Sequence, residues 1–468
     1  MVFASNIFLF FFLPLLLFLY YLPFRKNRTA QNLCLLLGSL GFYAYGEHRY
    51  ILLLLFSITC NYLFGRWIEE KRHMAGRILL AGTIVNFAVL FVFKYLDFTI
   101  SVFNRIPGVE MKAVGLALPI GISFFTFQAQ SYLVDVYRGK ARAQKNPMYV
   151  GLYIALFPQL IAGPIVRYES IASQMTERKE SPELFSDGVE RFLIGLAKKV
   201  LLADTMSVFA DRILTRVAAG DRISAGMAWL GSIAYTLRIY YDFSGYSDMA
   251  IGLGKMFGFE FEENFDHPYI SSSVTEFWRR WHISLSSWFR DYVYIPLGGS
   301  RCSSWKIFRN LLIVWLLTGI WHGAGWNFIF WGLWYFVILS AERLLKIGRE
   351  KKSLPVAGHL YTLFAVVIGW TLFMAPDMSV AGRYFSMMFG LASGKIHPSY
   401  TDAGAWFILK DNLPFFLAAG LFCLPVRKKI SEYTIGRKLV AVALLMLFAL
   451  SLIYIIKGNY SPFIYFNF

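Results

Sequence analysis

An all-α, polytopic membrane protein is the fold class this sequence predicts, on three observations. Of 468 residues, 57% are hydrophobic and only 16% charged, which is more apolar surface than one soluble core could hide. Runs such as IFLFFFLPLLLFLYYL, YILLLLFSITCNYLFG and LVAVALLMLFALSLIYII approach or exceed the roughly 18 to 20 residues a helix needs to cross hydrocarbon. A membrane barrel would show weaker, alternating strands instead.

The elements follow in order from apolar runs and the basic loops between them. Hydropathy places spans near 7–23, 30–46, 49–67, 77–97 and 115–137. Arg25, Lys26 and Arg28 follow the first span, Lys71, Arg72 and Arg77 the third, and Arg138, Lys140, Arg142 and Lys145 the fifth. Later spans fall near 324–344, 357–375, 404–425 and 438–456, with Lys346, Arg349, Lys351, Lys352 and then Arg427, Lys428, Lys429 between them. These are positive-inside loops. The formal charge of +17 therefore reports orientation and contact with anionic lipid, not a nucleic-acid footprint. MVFASN, without Lys or Arg and with no cleavage site after the run, predicts an uncleaved anchor; both termini are expected outside. Cys34, Cys60, Cys302 and Cys423 are scattered, so neither a disulfide framework nor a metal site is implied.

Between 146 and 310 the regularity is lost. MYVGLYIALFPQLIAGPIV holds Pro158 and Pro164 and predicts a re-entrant segment; Phe185 to Leu214 predicts an amphipathic or protein-buried helix. The stretch from Tyr240 to Arg301 is too polar for lipid and too aromatic for a flexible loop, so a folded surface at the cytosolic face is expected. No internal repeat of the transporter kind is visible. The whole chain is expected to form one integral-membrane domain: spans over 1–137, a re-entrant and amphipathic core over 138–310, spans over 311–456 and an aromatic tail over 457–468.

Two histidines stand out. His322, in LLTGIWHGAGWNFIFWG beside Trp321 and Gly323, lies between apolar runs, where an ionisable ring is costly and marks a functional candidate. Kept neutral by burial, it could accept a proton. A packing histidine hydrogen-bonded between helices fits the spacing equally well. His282 follows Arg279 and Arg280, a setting in which surface histidines are common. Arg279, Arg280 and Arg290, with Trp281 and Tyr294, form a cationic and aromatic cluster suited to phosphate, and equally to lipid headgroups. Asp242 and Asp248 close a long apolar stretch and could partner these cations or simply end a helix. No nucleophile elbow, HExxH or phosphate-binding glycine loop is present.

DFSGYSDMAIG, FWRRWHISLSSWFRDYVYIPLGGSR and WHGAGWNFIFWG closely resemble the membrane-bound O-acyltransferase family, in its alginate O-acetyltransferase branch. MVFASNIFLFFFLP, GISFFTFQAQSYLVDVYRG and FPQLIAGPIVRY extend the likeness over nearly the whole chain. The resemblance implies about 10 to 12 spanning helices plus re-entrant and amphipathic ones. It makes His322 the buried catalytic histidine and His282 the second, arginine-flanked one. It further implies acetyl transfer from cytosolic acetyl-CoA, with no bound cofactor, toward a polysaccharide outside a bacterial plasma membrane, completed by an exported acetyltransferase partner. Residues 463–468, FIYFNF, resemble the F-x-Y-x-x-F tail of the small partner protein in teichoic acid D-alanylation, where a tyrosine is thought to carry the acyl group. Tyr465 would take that part here; an interfacial aromatic anchor is the competing reading. A polysaccharide or lipid-linked sugar transporter, with Asp242, Asp248 and the arginines lining its path, is the rival function.

Overall fold

A computed structural model describes residues 1–24, 27–347, 355–425, 434–458 and 463–464, and among the described residues every regular element is helical. Among the described residues, four helices are long and apolar enough to cross a membrane: Ile51–Glu70, Arg72–Lys94, Val356–Met374 and Leu439–Ile456. They match four of the predicted spans. The runs predicted at 30–46 and 324–344 are uninterrupted helices of 19 residues, Arg28–Gly46 and Trp326–Leu344, while other predicted spans are shorter or interrupted, for local reasons. The run at 115–137 becomes helical only at Ile122, after Gly121 at φ +78, whose added Cβ would meet the Leu160 carbonyl oxygen. The run at 404–425 is two helices, Asp402–Asp411 and Leu413–Leu421, restarted at Pro414 in the first turn of the second.

The chain forms two compact units, Met1–Phe192 with Tyr246–Glu262, and Leu193–Gly245 with Glu263–Phe468. In the first, Asn61 and Asn86 exchange amide hydrogen bonds of 2.9 Å, Asn86 also donates to Gln130, and Gln130 donates to Thr83. This amide ladder ties together three helices that have no hydrophobic reason to associate in lipid. The predicted re-entrant stretch is a broken helix, Pro147–Ala155 then Phe157–Leu160, interrupted at Leu156 just before Pro158. The buried guanidinium of Arg178 donates to the Tyr20 hydroxyl and the Phe257 carbonyl, while Arg28 pairs with Glu180.

The second unit carries an antiparallel hairpin, Ser304–His322 and Trp326–Leu344, reversing at residues 323–325. Its arms touch backbone to backbone. A Cβ on Gly332 would strike the Trp315 carbonyl, and one on Gly319 the Phe328 carbonyl. The predicted amphipathic helix is continuous from Pro182 to Ala218, with a π-helical turn at Lys198–Ala203. A π-turn inserts one extra residue per turn and often marks a functional position.

Candidate active site

His322 ends the first arm of the hairpin and is 3% exposed. Its ring lies edge-on to Trp331 at 4.9 Å and Phe373 at 5.1 Å, and 5.0 Å from Trp321. Gly323 follows in extended backbone, and a Cβ there would run into the Phe328 ring, so the reversal closes this tightly only on glycine. Trp331 continues into an aromatic cluster with half-buried Trp278 and buried Trp315, Tyr335 and Trp370.

His282 is 1% exposed, not a surface histidine. It sits at the junction of two short helices, Val274–Arg280 and Ile283–Phe289, at φ 44, a left-handed conformation that a side chain adopts at some cost. Asn264 holds it there. The Ile283 amide donates to the Asn264 carbonyl at 2.9 Å, and Asn264 Oδ1 receives the Ser284 amide at 3.2 Å and the Ser284 hydroxyl at 2.9 Å. A backbone N–H can only donate, so the side-chain atom facing it is oxygen. His282 Nδ1, 3.0 Å from that same oxygen, must therefore carry the hydrogen, leaving Nε2 as the basic nitrogen. Burial pulls this imidazole down to about 3, so it is neutral at physiological pH.

Trp321 connects the two histidines: its ring is 5.0 Å from His322 and 6.2 Å from His282, with Phe243 on His282 at 4.5 Å. The helix leading into His282 is fixed at its start. Ser273 accepts from the Glu276 amide, and Glu342, 1% exposed, accepts from the Val274 amide at 2.6 Å, the Thr275 amide at 2.8 Å and the Thr275 hydroxyl at 2.6 Å.

The remaining sequence candidates divide. Trp281 is buried, packed on Phe277 and Trp370. Arg280 pairs with Glu276 and Asp266, and exposed Arg290 pairs with Asp291. Arg279 is exposed, and Tyr294 is half-buried at the end of the π-turn Arg290–Tyr294. Asp242 belongs with the histidines in the second unit, paired to Lys199 at 2.8 Å. Asp248 belongs to the first unit, paired to Arg191 at 2.6 Å. Tyr465 and Phe468 lie outside the described residues, but Phe463 and Ile464 are 2% and 4% exposed, with the Phe463 ring 6.1 Å from Phe243.

The sequence pattern of the membrane-bound O-acyltransferase (MBOAT) family matches residues 43–382. The chain belongs to that family. It is 44% identical over 403 residues to the protein named "Probable alginate O-acetylase AlgI" of Pseudomonas aeruginosa, covering 85% of this chain and 76% of the relative. The protein of the same name in Pseudomonas putida is 40% identical over 501 residues, with 100% of both chains covered. The peptidoglycan O-acetyltransferase of Helicobacter pylori is 32% identical over 517 residues, covering 100% of this chain and 98% of the relative.

In this membrane-bound acyltransferase, Asn264, Glu342 and Lys199 also build the site, and no motif in the sequence marks them. Glu342 had a visible signal, a lone carboxylate in the apolar run FVILSAERLL. Asn264 had none: its role depends on main-chain pairing with residues about twenty positions away.

Proposed function

We propose that this acyltransferase moves acetyl groups from cytosolic acetyl-CoA, across a bacterial plasma membrane, to an exported cell-surface polysaccharide. The relatives' acceptors, alginate and peptidoglycan, support a polymer outside the membrane as the acceptor class. The observation that carries the reading is the pair of buried histidines joined through Trp321, one of them a neutral ring with its tautomer fixed.

In this mechanism the Tyr465 hydroxyl gives its proton to the His322 imidazole as the phenol oxygen adds to the thioester carbonyl. The carbon–sulfur bond breaks, and the proton passes to the departing CoA thiolate. A phenol ionises only near pH 10, so it needs that base, and general-base help is commonly worth about 10² to 10⁴ in rate. His282 supplies a second neutral imidazole in the same enclosure. In this reading Arg279, Arg280 and Arg290 bind the donor's phosphates, with Tyr294 and Trp281 as their aromatic companions. An exported acetyltransferase then takes the acetyl group from Tyr465. CoA never crosses the bilayer; only the acetyl group does.

The transporter reading loses support from the ion pairs: Asp242 and Asp248 each face a cation already. Purified protein is incubated with labelled acetyl-CoA and the label located by peptide mass spectrometry. The expected mark is on Tyr465 and is lost in His322→Ala. In cells, His322→Ala should abolish polymer acetylation while polymer yield is intact; loss of exported polymer itself would favour the transporter.

A further inference from the structure

The buried ion cluster around Lys199 has no part in the chemistry above. Lys199 Nζ lies 2.7 Å from Asp204 Oδ1 and 2.8 Å from Asp242 Oδ1, and all three residues are at most 4% exposed. A buried carboxylate is stabilised by each donor that reaches it. One donor to Asp242 comes from far along the chain: the Ile464 amide donates to Oδ2 at 2.7 Å.

We infer that Asp242, set in place by the Lys198–Ala203 π-turn, is the docking acceptor for the chain's own segment at Phe463–Ile464, and so a positioning residue for Tyr465. The docking half stands on its own contacts; the part concerning Tyr465 rests on the function proposed above.

Three features of the fold converge on Asp242. Gly245, one turn further along the same helix, lets that helix approach closely: a Cβ there would meet the Gly195 carbonyl at 2.8 Å and the Lys199 amide nitrogen at 3.1 Å. Residues three apart share a helix face, so this approach brings Asp242 onto Lys199. The Thr434–Ile456 helix packs against the same π-turn and ends two residues before Gly458, φ 72, on the way along the chain to Phe463 and Ile464. The π-turn thus braces both the helix that leads to the tail and the carboxylate that receives it. Burial alone would lower the Lys199 ammonium; Asp242 and Asp204 outweigh it and hold the group above its ordinary value, so it remains a cation.

The contact is to main chain, so it fixes register without reading the side chain at 464. Recognition comes from Phe463, whose ring lies on Phe243, which in turn lies 4.5 Å from His282. Tyr465 is one peptide beyond the anchored amide, about 3.8 Å between Cα atoms, so pinning Ile464 restricts where the phenol can go.

The test uses the full chain in membranes. Ile464→Cys keeps the amide, and labelling of the introduced thiol by a maleimide is read by peptide mass spectrometry, which separates it from the native cysteines. Asp242→Ala leaves Lys199 paired with Asp204 and should raise that labelling by about ten- to a hundredfold, the weight of one charge-assisted hydrogen bond. Ile464→Pro, which removes the donor, should cut acetyl label on Tyr465 by a similar factor, Ile464→Val should not, and Ile464→Pro should add nothing in the Asp242→Ala background. Maleimide labelling at position 464 that Asp242→Ala leaves unchanged, or equal acetylation in the Pro and Val variants, overturns the inference. If the wild-type chain takes no acetyl label on Tyr465 while the Ile464→Cys variant is protected from maleimide, the acyl relay is overturned and the docking upheld.

Discussion

Asn264 is the residue whose loss most sharply tests the arrangement at His282. Its Oδ1 receives the His282 Nδ1–H, the Ser284 amide and the Ser284 hydroxyl in a pocket closed to water. Asn264→Ala takes that oxygen from the Ser284 amide and leaves the imidazole N–H only the longer contact to Ser284 Oγ at 3.4 Å. A buried donor that loses its acceptor costs about 1 to 3 kcal/mol, so with the weakened second bond the substitution should destabilise the fold by about 1 to 4 kcal/mol. That is a large fraction of the roughly 5 to 15 kcal/mol typical of a native domain. The main-chain bond from the Ile283 amide to the carbonyl of residue 264 would remain, but the side-chain acceptor that sets the His282 tautomer would be gone, and acetyl transfer should fall by about 10²-fold or more. Asn264→Asp separates fold from chemistry. Both carboxylate oxygens can accept, so the fold survives, but the charge beside the ring favours imidazolium and raises the pKa of His282 from about 3. Activity of the Asp variant should therefore fall at acidic pH and recover toward alkaline pH. Thermal unfolding in detergent and single-turnover transfer from labelled acetyl-CoA, measured from about pH 5 to 9 to bracket the ordinary histidine range, read both effects. An Asn264→Ala protein with wild-type melting and transfer within about twofold would refute the reasoning.

Glu342→Gln replaces one of two oxygens at the start of the Val274–Arg280 helix with an NH₂ that cannot accept; a loss of about 2 to 4 kcal/mol is expected in the same unfolding assay. His282 gives a pH prediction whose sign follows from burial. Between the unfolded value near 6.5 and the folded value of about 3, the unfolded chain binds a proton that the native chain does not. Stability should fall as pH drops through that window, by up to about 1.4 kcal/mol per unit, and the slope should flatten in His282→Gln. Gly332→Ala drives a methyl into the Trp315 carbonyl and should cost about 1 to 3 kcal/mol, while Gly420→Ala, which meets nothing within 4 Å, should be silent.

How much of this could be read from the residues depends on the range of the force involved. Apolar runs act locally, and the helices Ile51–Glu70, Arg72–Lys94, Val356–Met374 and Leu439–Ile456 lie close to where hydropathy placed them. Interruptions are legible where proline forces them: Pro158 reads as a breaker, whereas the late start at Ile122 depends on Gly121 lying against the Leu160 carbonyl. His322 was readable because a lone ionisable residue between apolar runs is expensive wherever it ends up. The neighbours of His282 in sequence, Arg279 and Arg280, are polar and by themselves suggest a surface position; only the family resemblance makes it a site residue. Its neighbours in space, Phe243 and Trp321, come from distant segments. Asp242 shows the same limit from the other side. A carboxylate at the end of an apolar stretch can cap a helix, line a path or pair with a cation. Lys199, on an earlier helix, and Ile464, 222 positions later, select among these roles, and no local pattern could have named either. Charges buried in a helical membrane protein are thus easy to notice in sequence and hard to assign, because their cost is local while their compensation is not.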